Sequence, residues 1–221
     1  MPLGIAMTDL KYKYDLIAHN FSSREYNNLE FYMHHRFVIA TTWGKPLVTG
    51  DSVVELGCGD GYLAQSFVKH GFHYRGADIS SKMIFAAQSR LLEAGKYVEL
   101  FVADVNQFSL SEPCDVVIAF MRTFFAYTKE PLEVLRRLRP YVRKKIILDL
   151  NPRLDMPVSA AIAMIKEAGF QNIAWRPFFV PKEKKLPLIM LKALATCETI
   201  PMLRQIPLRW KFHVLVKGEV E

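Results

Sequence analysis

Cysteine is scarce in this sequence, and acid is in the minority. The three cysteines, Cys58, Cys114 and Cys197, are widely separated and odd in number. They form no CxxC pair and no even-numbered set, which argues against a zinc-ribbon site and a disulfide-stapled scaffold and fits a reducing compartment. No apolar run approaches the roughly 18 residues that cross a bilayer. The opening stretch MPLGIAMTDLKYKYDL has no long apolar segment behind a basic start, so no secretory signal is expected and the cytoplasm is the expected compartment. There is no internal repeat and no low-complexity linker. A single domain over 1–221 is therefore expected, a length that buries a proper α/β core.

What is present is an ordinary globular mixture, with 51% hydrophobic and 23% charged residues, so disorder is excluded. Lysine and arginine number 29 against 22 acids, a formal net charge of +7. A basic surface can attract nucleic acid, anionic lipid or phosphorylated substrates. Part of the excess is local. Arg136, Arg137, Arg139, Arg143, Lys144 and Lys145 precede an expected strand, and Lys182, Lys184 and Lys185 form a second run. The plainer reading is a solvated helix end and loop, since basic side chains also suit helix C-termini.

Apolar runs alternate with helical patterns, the mark of βαβ units and a mostly parallel sheet. Residues 9–47 read as helices, with Ser22 and Ser23 as caps. Strands are expected at 52–56, 74–78, 98–103, 115–120 and 145–150. Helices are expected at 62–70, 80–94, 131–138 and 157–168, with Gly71, Gly95, Pro140 and Gly169 as stops. Two last strands are expected at 172–180 and 209–217. Between them lies 181–208, apolar and broken by Pro187, Pro201 and Pro207. So long a connection in a compact domain usually carries function. It can be a lid, a substrate wall, an interface between copies, or a patch in which Lys182, Lys184 and Lys185 meet anionic lipid. The division is a helical cap or lid at 1–47, a cofactor-binding core at 48–150 and the rest of the sheet at 151–221.

The stretch VVELGCGDGYLA, 53–64, sets Gly57, Gly59 and Gly61 between a strand and a helix. Glycine lets the chain turn sharply and a ligand approach the backbone, and N–H groups at the helix start can serve a ligand's polar groups. In open α/β sheets ligands sit beyond the carboxyl ends of the strands. The spacing is G-x-G-x-G rather than the dinucleotide G-x-G-x-x-G. Glu55 stands just before the first glycine, an awkward neighbour for a pyrophosphate and a natural one for a cationic sulfonium with an amino group. Asp78 ends the second strand in GADIS, where a carboxylate can accept from two ribose hydroxyls. Asp104 ends the third in VADVN, from where it can reach an adenine amine.

Together ELGCGDG, GADIS and VADVN resemble the first three motifs of class I S-adenosylmethionine-dependent methyltransferases, in order and on the right strands. The resemblance runs from about Tyr14 to Leu150. It implies a Rossmann-like three-layer sandwich, with helices on both faces of a seven-stranded mostly parallel sheet whose last strand is antiparallel, and an N-terminal helical cap. It further implies that Glu55, Gly57, Cys58, Gly59, Asp60 and Gly61 support the methionine end of S-adenosylmethionine. Asp78, Ile79 and Met83 would lie by ribose and adenine, and Asp104 and Val105 by the adenine edge. Ala119, Phe120 and Met121 would line the methyl-transfer face. Tyr14, Phe21, Tyr26 and Phe120 are candidates for an aromatic wall around the sulfonium. The product would be S-adenosylhomocysteine.

The segment after the fourth strand is AFMRTFFAY, not the Asp/Asn-P-P-Y of enzymes that methylate adenine or glutamine amides, and the cysteine pair of cytosine-5 enzymes is absent. Asp149 and Asn151 in DLNPR have a superficial likeness to metal-dependent catechol-type enzymes, but the fourth strand has no matching acid, so no metal is expected. His19, His34 and His35 are candidate bases. Arg122 and Arg153 are candidates to hold an acidic or phosphorylated acceptor. The leading expectation is methylation of a small molecule, at oxygen, in a sugar, phenol or natural-product intermediate. An RNA methyltransferase and a protein that only senses the cofactor stay open. Nucleic acid is not expected as a partner, because the basic residues gather at segment ends and the aromatics look like core.

Overall fold

The computed structural model describes residues 7–92, 98–200, 202 and 213–221. Four apolar stretches bounded by turn residues become parallel neighbours: β1 (Ser52–Leu56), β2 (His73–Asp78), β3 (Val98–Val102) and β4 (Cys114–Ala119). With β5 (Val142–Leu150), β6 (Gln171–Phe178) and β7 (His213–Glu219) they form one seven-stranded sheet, in the order β3-β2-β1-β4-β5-β7-β6. β7 runs antiparallel to both of its neighbours, β5 and β6, as the resemblance implied. The central strand β4 is buried along its whole length, which is why it reads as a run of apolar residues after Asp115 rather than as alternation. β3, at one edge, is half open to solvent.

Two apolar cores cover the two faces. One packs α3 (Leu29–Thr42) and α4 (Tyr62–Lys69) around Phe37, Phe67 and Tyr74. The other packs α6 (Thr123–Tyr127), α7 (Pro131–Leu138) and α8 (Val158–Glu167) around Phe124, Leu135 and Ile165. α5 (Ser81–Leu92) flanks β2 and β3, and α1 (Met7–Ile17) and α2 (Phe21–Glu25) lie ahead of α3 in the chain. Among the described residues no helix is long and apolar enough to cross a membrane.

Several local expectations are corrected. Ser22 and Ser23 cap nothing, because α2 starts earlier, at Phe21, with Asn20 before it. The Ser22 hydroxyl is instead spent on Asp60, 2.5 Å away. The basic group before β5 divides: Arg136 and Arg143 are exposed, and the others are drawn toward the fold. β5 begins at Val142, and Lys145 is fully buried with its ammonium on the Trp43 carbonyl. Lys144 pairs with Asp51, Arg137 donates to the Asn106 and Phe108 carbonyls, and Arg136 joins Glu133 and Glu167. The segment 181–208 contains a helix, α9 (Leu188–Cys197). The run LIMLKALATC after Pro187 is rich in helix formers, and Pro187 precedes the helix rather than breaking it. α9 exposes Leu188, Ile189 and Met190. The stop expected at Gly95, the breaks at Pro201 and Pro207 and the strand start at Arg209 lie outside the described residues.

Two glycines position the site. Gly57 and Gly61 both have φ of +76°, a region that costs a side-chain-bearing residue about 1–3 kcal/mol. A Cβ on Gly57 would come within 2.5 Å of Thr123, and one on Gly61 within 2.9 Å of Ala87. The loop is thus pressed against α5 on one side and the start of α6 on the other. Gly50 has φ of +94° but open space around it. Gly61→Ala should therefore lower stability by more than Gly50→Ala, whose cost of about 1–3 kcal/mol is backbone strain alone. Urea melts of the two variants test this, and equal losses would contradict the packing argument.

Candidate functional site

At the carboxyl ends of the parallel strands lies a cavity of about 730 Å³. The glycine loop forms its floor and is pinned to β2. The Gly57 and Cys58 N–H groups donate to the Ala77 carbonyl at 2.7 and 3.0 Å, and Gly59 N–H donates to the Asp78 carboxylate at 3.0 Å. These three donors are used inside the fold. Asp78 also accepts from Ser80 N–H at 2.9 Å, so its carboxylate is held rigid at the strand end.

Glu55, Asp60, Asp78 and Asp104 line the cavity. Glu55 is buried, and loss of water pushes its carboxyl up to about 7, against the Tyr74 hydroxyl that donates to it at 2.5 Å. Burial likewise pushes Asp78 up to about 6, partly offset by the Ser80 and Gly59 N–H groups. Neither carboxylate is in an ion pair among the described residues, and the Arg36 charge offsets the burial of Glu55 only in part. Asp60, in contrast, has close partners. It accepts from Ser22 N–H and hydroxyl and from the Arg90 guanidinium at 3.0 Å. It clamps the cap to the loop while lining the cavity. Asp104 closes an Asx turn, accepting from the Asn106 N–H and amide at 2.8 Å each, and lines the cavity with Val105.

The cap closes the cavity from above. Asp15 on α1 accepts from the Ser80 hydroxyl at 2.5 Å. Tyr14, Phe21 and Tyr26 line the wall, with the Tyr14 and Tyr127 hydroxyls 3.5 Å apart. Burial pushes the hydroxyls of Tyr14 and Tyr26 up, so they stay protonated at neutral pH. Burial also pushes the Cys58 thiol up, which leaves it a packing group rather than a nucleophile. The start of the 181–208 segment completes the wall through residues 181–184, tied to the cap by Asn27 and Asn28 side chains on the Glu183 and Lys184 carbonyls.

Of the expected cofactor residues, Glu55, Gly57, Cys58, Gly59, Asp60, Asp78, Ile79, Met83, Asp104, Val105, Phe120, Tyr14 and Tyr26 all line this cavity, and Gly61 and Ala119 do not. The expected bases are elsewhere. His19 and His34 are exposed, and His35 sits against the buried Glu198 at 2.8 Å, away from the cavity wall. The reason is the helical turn: on α3 the cavity side is taken by Tyr32, Met33 and Arg36. Arg153 is exposed and off the wall. Arg122 is on the wall, but its guanidinium is met by Asp155. Among the described residues no group of His, Cys, Asp and Glu is arranged to hold a metal ion.

A second buried cluster escaped the sequence reading. Asp149, at 0% exposure, accepts from Arg36 at 2.9 Å, from Met121 N–H at 3.0 Å and from His213 Nδ1 at 3.0 Å. Arg36, 1% exposed, lies against the rings of Tyr32, Phe120 and Phe178. These partners overcome burial and hold Asp149 below the usual carboxylate range. Met121 and Arg122 take left-handed φ values of 61° and 62°, strain of the kind that gathers at working sites. An arginine among the apolar residues of α3 was the one available signal.

Residues 53–145 match the family described as "Methyltransferase domain". The ubiquinone biosynthesis O-methyltransferase of Aromatoleum aromaticum is 26% identical over 96 residues, which cover 43% of this chain and 41% of that protein. The chain thus matches about two fifths of the length of such curated relatives. Among solved structures, the magnesium protoporphyrin IX methyltransferase of Synechocystis with bound S-adenosylmethionine has a TM-score of 0.58 at 16% identity, covering 100% of this chain and 87% of that one. The cyclase SpnF has a TM-score of 0.69 at 12% identity, covering 98% and 97%. These likenesses show the fold: the chain has the class I methyltransferase architecture, and residues 53–145 match the methyltransferase-domain family in sequence.

A cation bound beside Glu55 and Asp78 favours their ionised forms, so it lowers both pKa values from about 7 and about 6. Binding of S-adenosylmethionine should then release protons between pH 6 and about 7, and weaken as pH falls below the Asp78 value. Calorimetry in phosphate and in Tris should give enthalpies that differ with the ionisation heat of the buffer. Identical enthalpies would contradict the role of the two acids.

Proposed function

We propose that this protein transfers a methyl group from S-adenosylmethionine to a hydroxyl oxygen of a small, flat acceptor. The observation that carries the reading is one cavity lined both by Glu55, Asp78 and Asp104 with the glycine loop and by Tyr32, Phe120, Phe178 and His213. Its volume of about 730 Å³ falls in the range of small-molecule sites.

The residues fit the cofactor. Asp78 lines the cavity at the end of β2, a position suited to accepting from ribose hydroxyls. Glu55 and Asp78 give the loop a negative field, favourable to a sulfonium and an ammonium and unfavourable to a pyrophosphate. Asp104 and Val105 offer an acceptor and an apolar edge for an adenine, beside Ile79. When bound, S-adenosylmethionine supplies a methyl group already activated on sulfur. The task left to the chain is to orient the acceptor and exclude water, and well-placed reactants can gain about 7–11 kcal/mol from proximity alone. The cap and residues 181–184 serve that end by roofing the cavity. The printed activity of the curated relatives, O-methylation, supports oxygen as the accepting atom. The pairing of Arg136, Arg137, Arg139 and Lys144 with acceptors of the chain itself favours a small acceptor over RNA, since those cations do not form a free stripe.

S-adenosylmethionine and S-adenosylhomocysteine should bind, and NAD should not. Asp78→Asn should weaken both by more than tenfold, as each hydrogen bond to a charged group contributes about 1.5–3 kcal/mol. Calorimetric titration checks this. Preferred binding of NAD, or no effect of the substitution, would remove the reading.

A further inference from the structure

We infer that His213 is the general base that takes the proton from an aromatic hydroxyl acceptor, with Asp149 and Arg36 as its positioning residues. The inference rests on the methyltransferase reading above and adds the residue that makes a neutral hydroxyl reactive.

All six histidines of the chain, His19, His34, His35, His70, His73 and His213, are among the described residues, and His213 alone lines the cavity. Topology puts it there. β7 is antiparallel, so its first residue reaches the same edge of the sheet at which the parallel strands end, and His213 pairs with Phe178 at the end of β6. Asp149, near the end of β5 and 64 residues away in sequence, meets its Nδ1 at 3.0 Å.

The hydrogen bond fixes the tautomer. Asp149 is an ionised carboxylate and only accepts, so Nδ1 carries a proton, and in the neutral ring Nε2 carries the lone pair. Nε2 has no hydrogen-bond partner among the described residues, and the ring is 26% exposed, into a site where a ligand can reach it. Asp149 in turn cannot swing away. Arg36 and the Met121 N–H hold its other oxygen, at 2.9 and 3.0 Å. The charged groups tied to His213 are thus Asp149 from β5 and, behind it, Arg36 from α3, with the Tyr32 hydroxyl accepting from Arg36 at 2.8 Å. The wall around this group is aromatic, with Tyr32, Phe120 and Phe178, which suits a flat ring better than a sugar.

The step balances as follows. The Nε2 lone pair takes the hydroxyl proton, giving an imidazolium that Asp149 stabilises. The oxygen pair forms the new bond to the methyl carbon while the pair of the carbon–sulfur bond passes to sulfur, turning a sulfonium into a neutral thioether. The imidazolium then loses its proton to water. General bases of this kind contribute about 10²–10⁴-fold.

The test uses 4-nitrophenol as probe, because its phenolate is yellow and its neutral form is not. Titrated into the wild type with S-adenosylhomocysteine present, at a pH where the free probe is mostly neutral, it should show the phenolate band on binding. His213→Gln, which can still donate to Asp149, should bind the probe without that band while its affinity for S-adenosylhomocysteine is unchanged. In turnover with S-adenosylmethionine, His213→Gln should lose about 10²-fold or more in kcat on weakly acidic phenols and little on nitrophenols that are already ionised. Asp149→Asn should lower kcat with KM little changed. A phenolate band kept by His213→Gln, a neutral probe in the wild type, or no binding of the probe would each overturn the assignment. Failure of S-adenosylhomocysteine to bind the wild type would instead overturn the methyltransferase reading.

Discussion

A carboxylate withdrawn from water must find a cation or a set of N–H donors, or else hold its proton. This chain places Glu55, Asp60, Asp78 and Asp149 along one edge of its sheet, and each meets the demand in its own way. Asp60 and Asp149 are satisfied within the protein, by Arg90 and Ser22 and by Arg36, His213 and the Met121 N–H. Glu55 and Asp78 are not matched by a cation, and their pKa values rise to about 7 and about 6. The satisfied pair builds the walls, while the unsatisfied pair makes the loop a place for a positive ligand.

The same division explains how distant segments meet at one cavity. Asp60 and Ser80 each grip the N-terminal cap, through Ser22 and Asp15. Glu198, 1% exposed, grips the far side, taking Arg176, His35 and the Phe179 N–H. Each latch is a short polar contact in a poorly solvated setting, where a broken pair is costly. These contacts add to the apolar packing of the cap through Tyr26, Tyr32, Met33 and Phe37, and a roof so placed shuts water out of the site.

Much of this was legible beforehand. β1 and α7 fall at the expected residues, and the three acidic strand ends lie on one cavity, because glycine spacing and apolar runs are local signals. What stayed hidden was non-local or ambiguous. Histidines His34 and His35 face away from the cavity because Tyr32 and Arg36 occupy the inward side of α3, a choice of helical phase that adjacent histidines do not declare. His213 gave no signal, since nothing in the sequence ties it to Asp149 until β7 turns antiparallel. Lys145 looked like surface charge and is buried, because β5 starts three residues earlier than its apolar run. The helix α9 was masked by the prolines around it.

The most direct test of the central claim, that this carboxyl edge is built for S-adenosylmethionine and an acceptor together, is a crystal structure with S-adenosylhomocysteine bound. The account predicts ribose hydroxyls on Asp78, the adenine edge at Asp104, the homocysteine amino group on the Glu55 side, and open space between sulfur and His213. A ligand lying elsewhere, or one whose sulfur is walled off from His213, would contradict it.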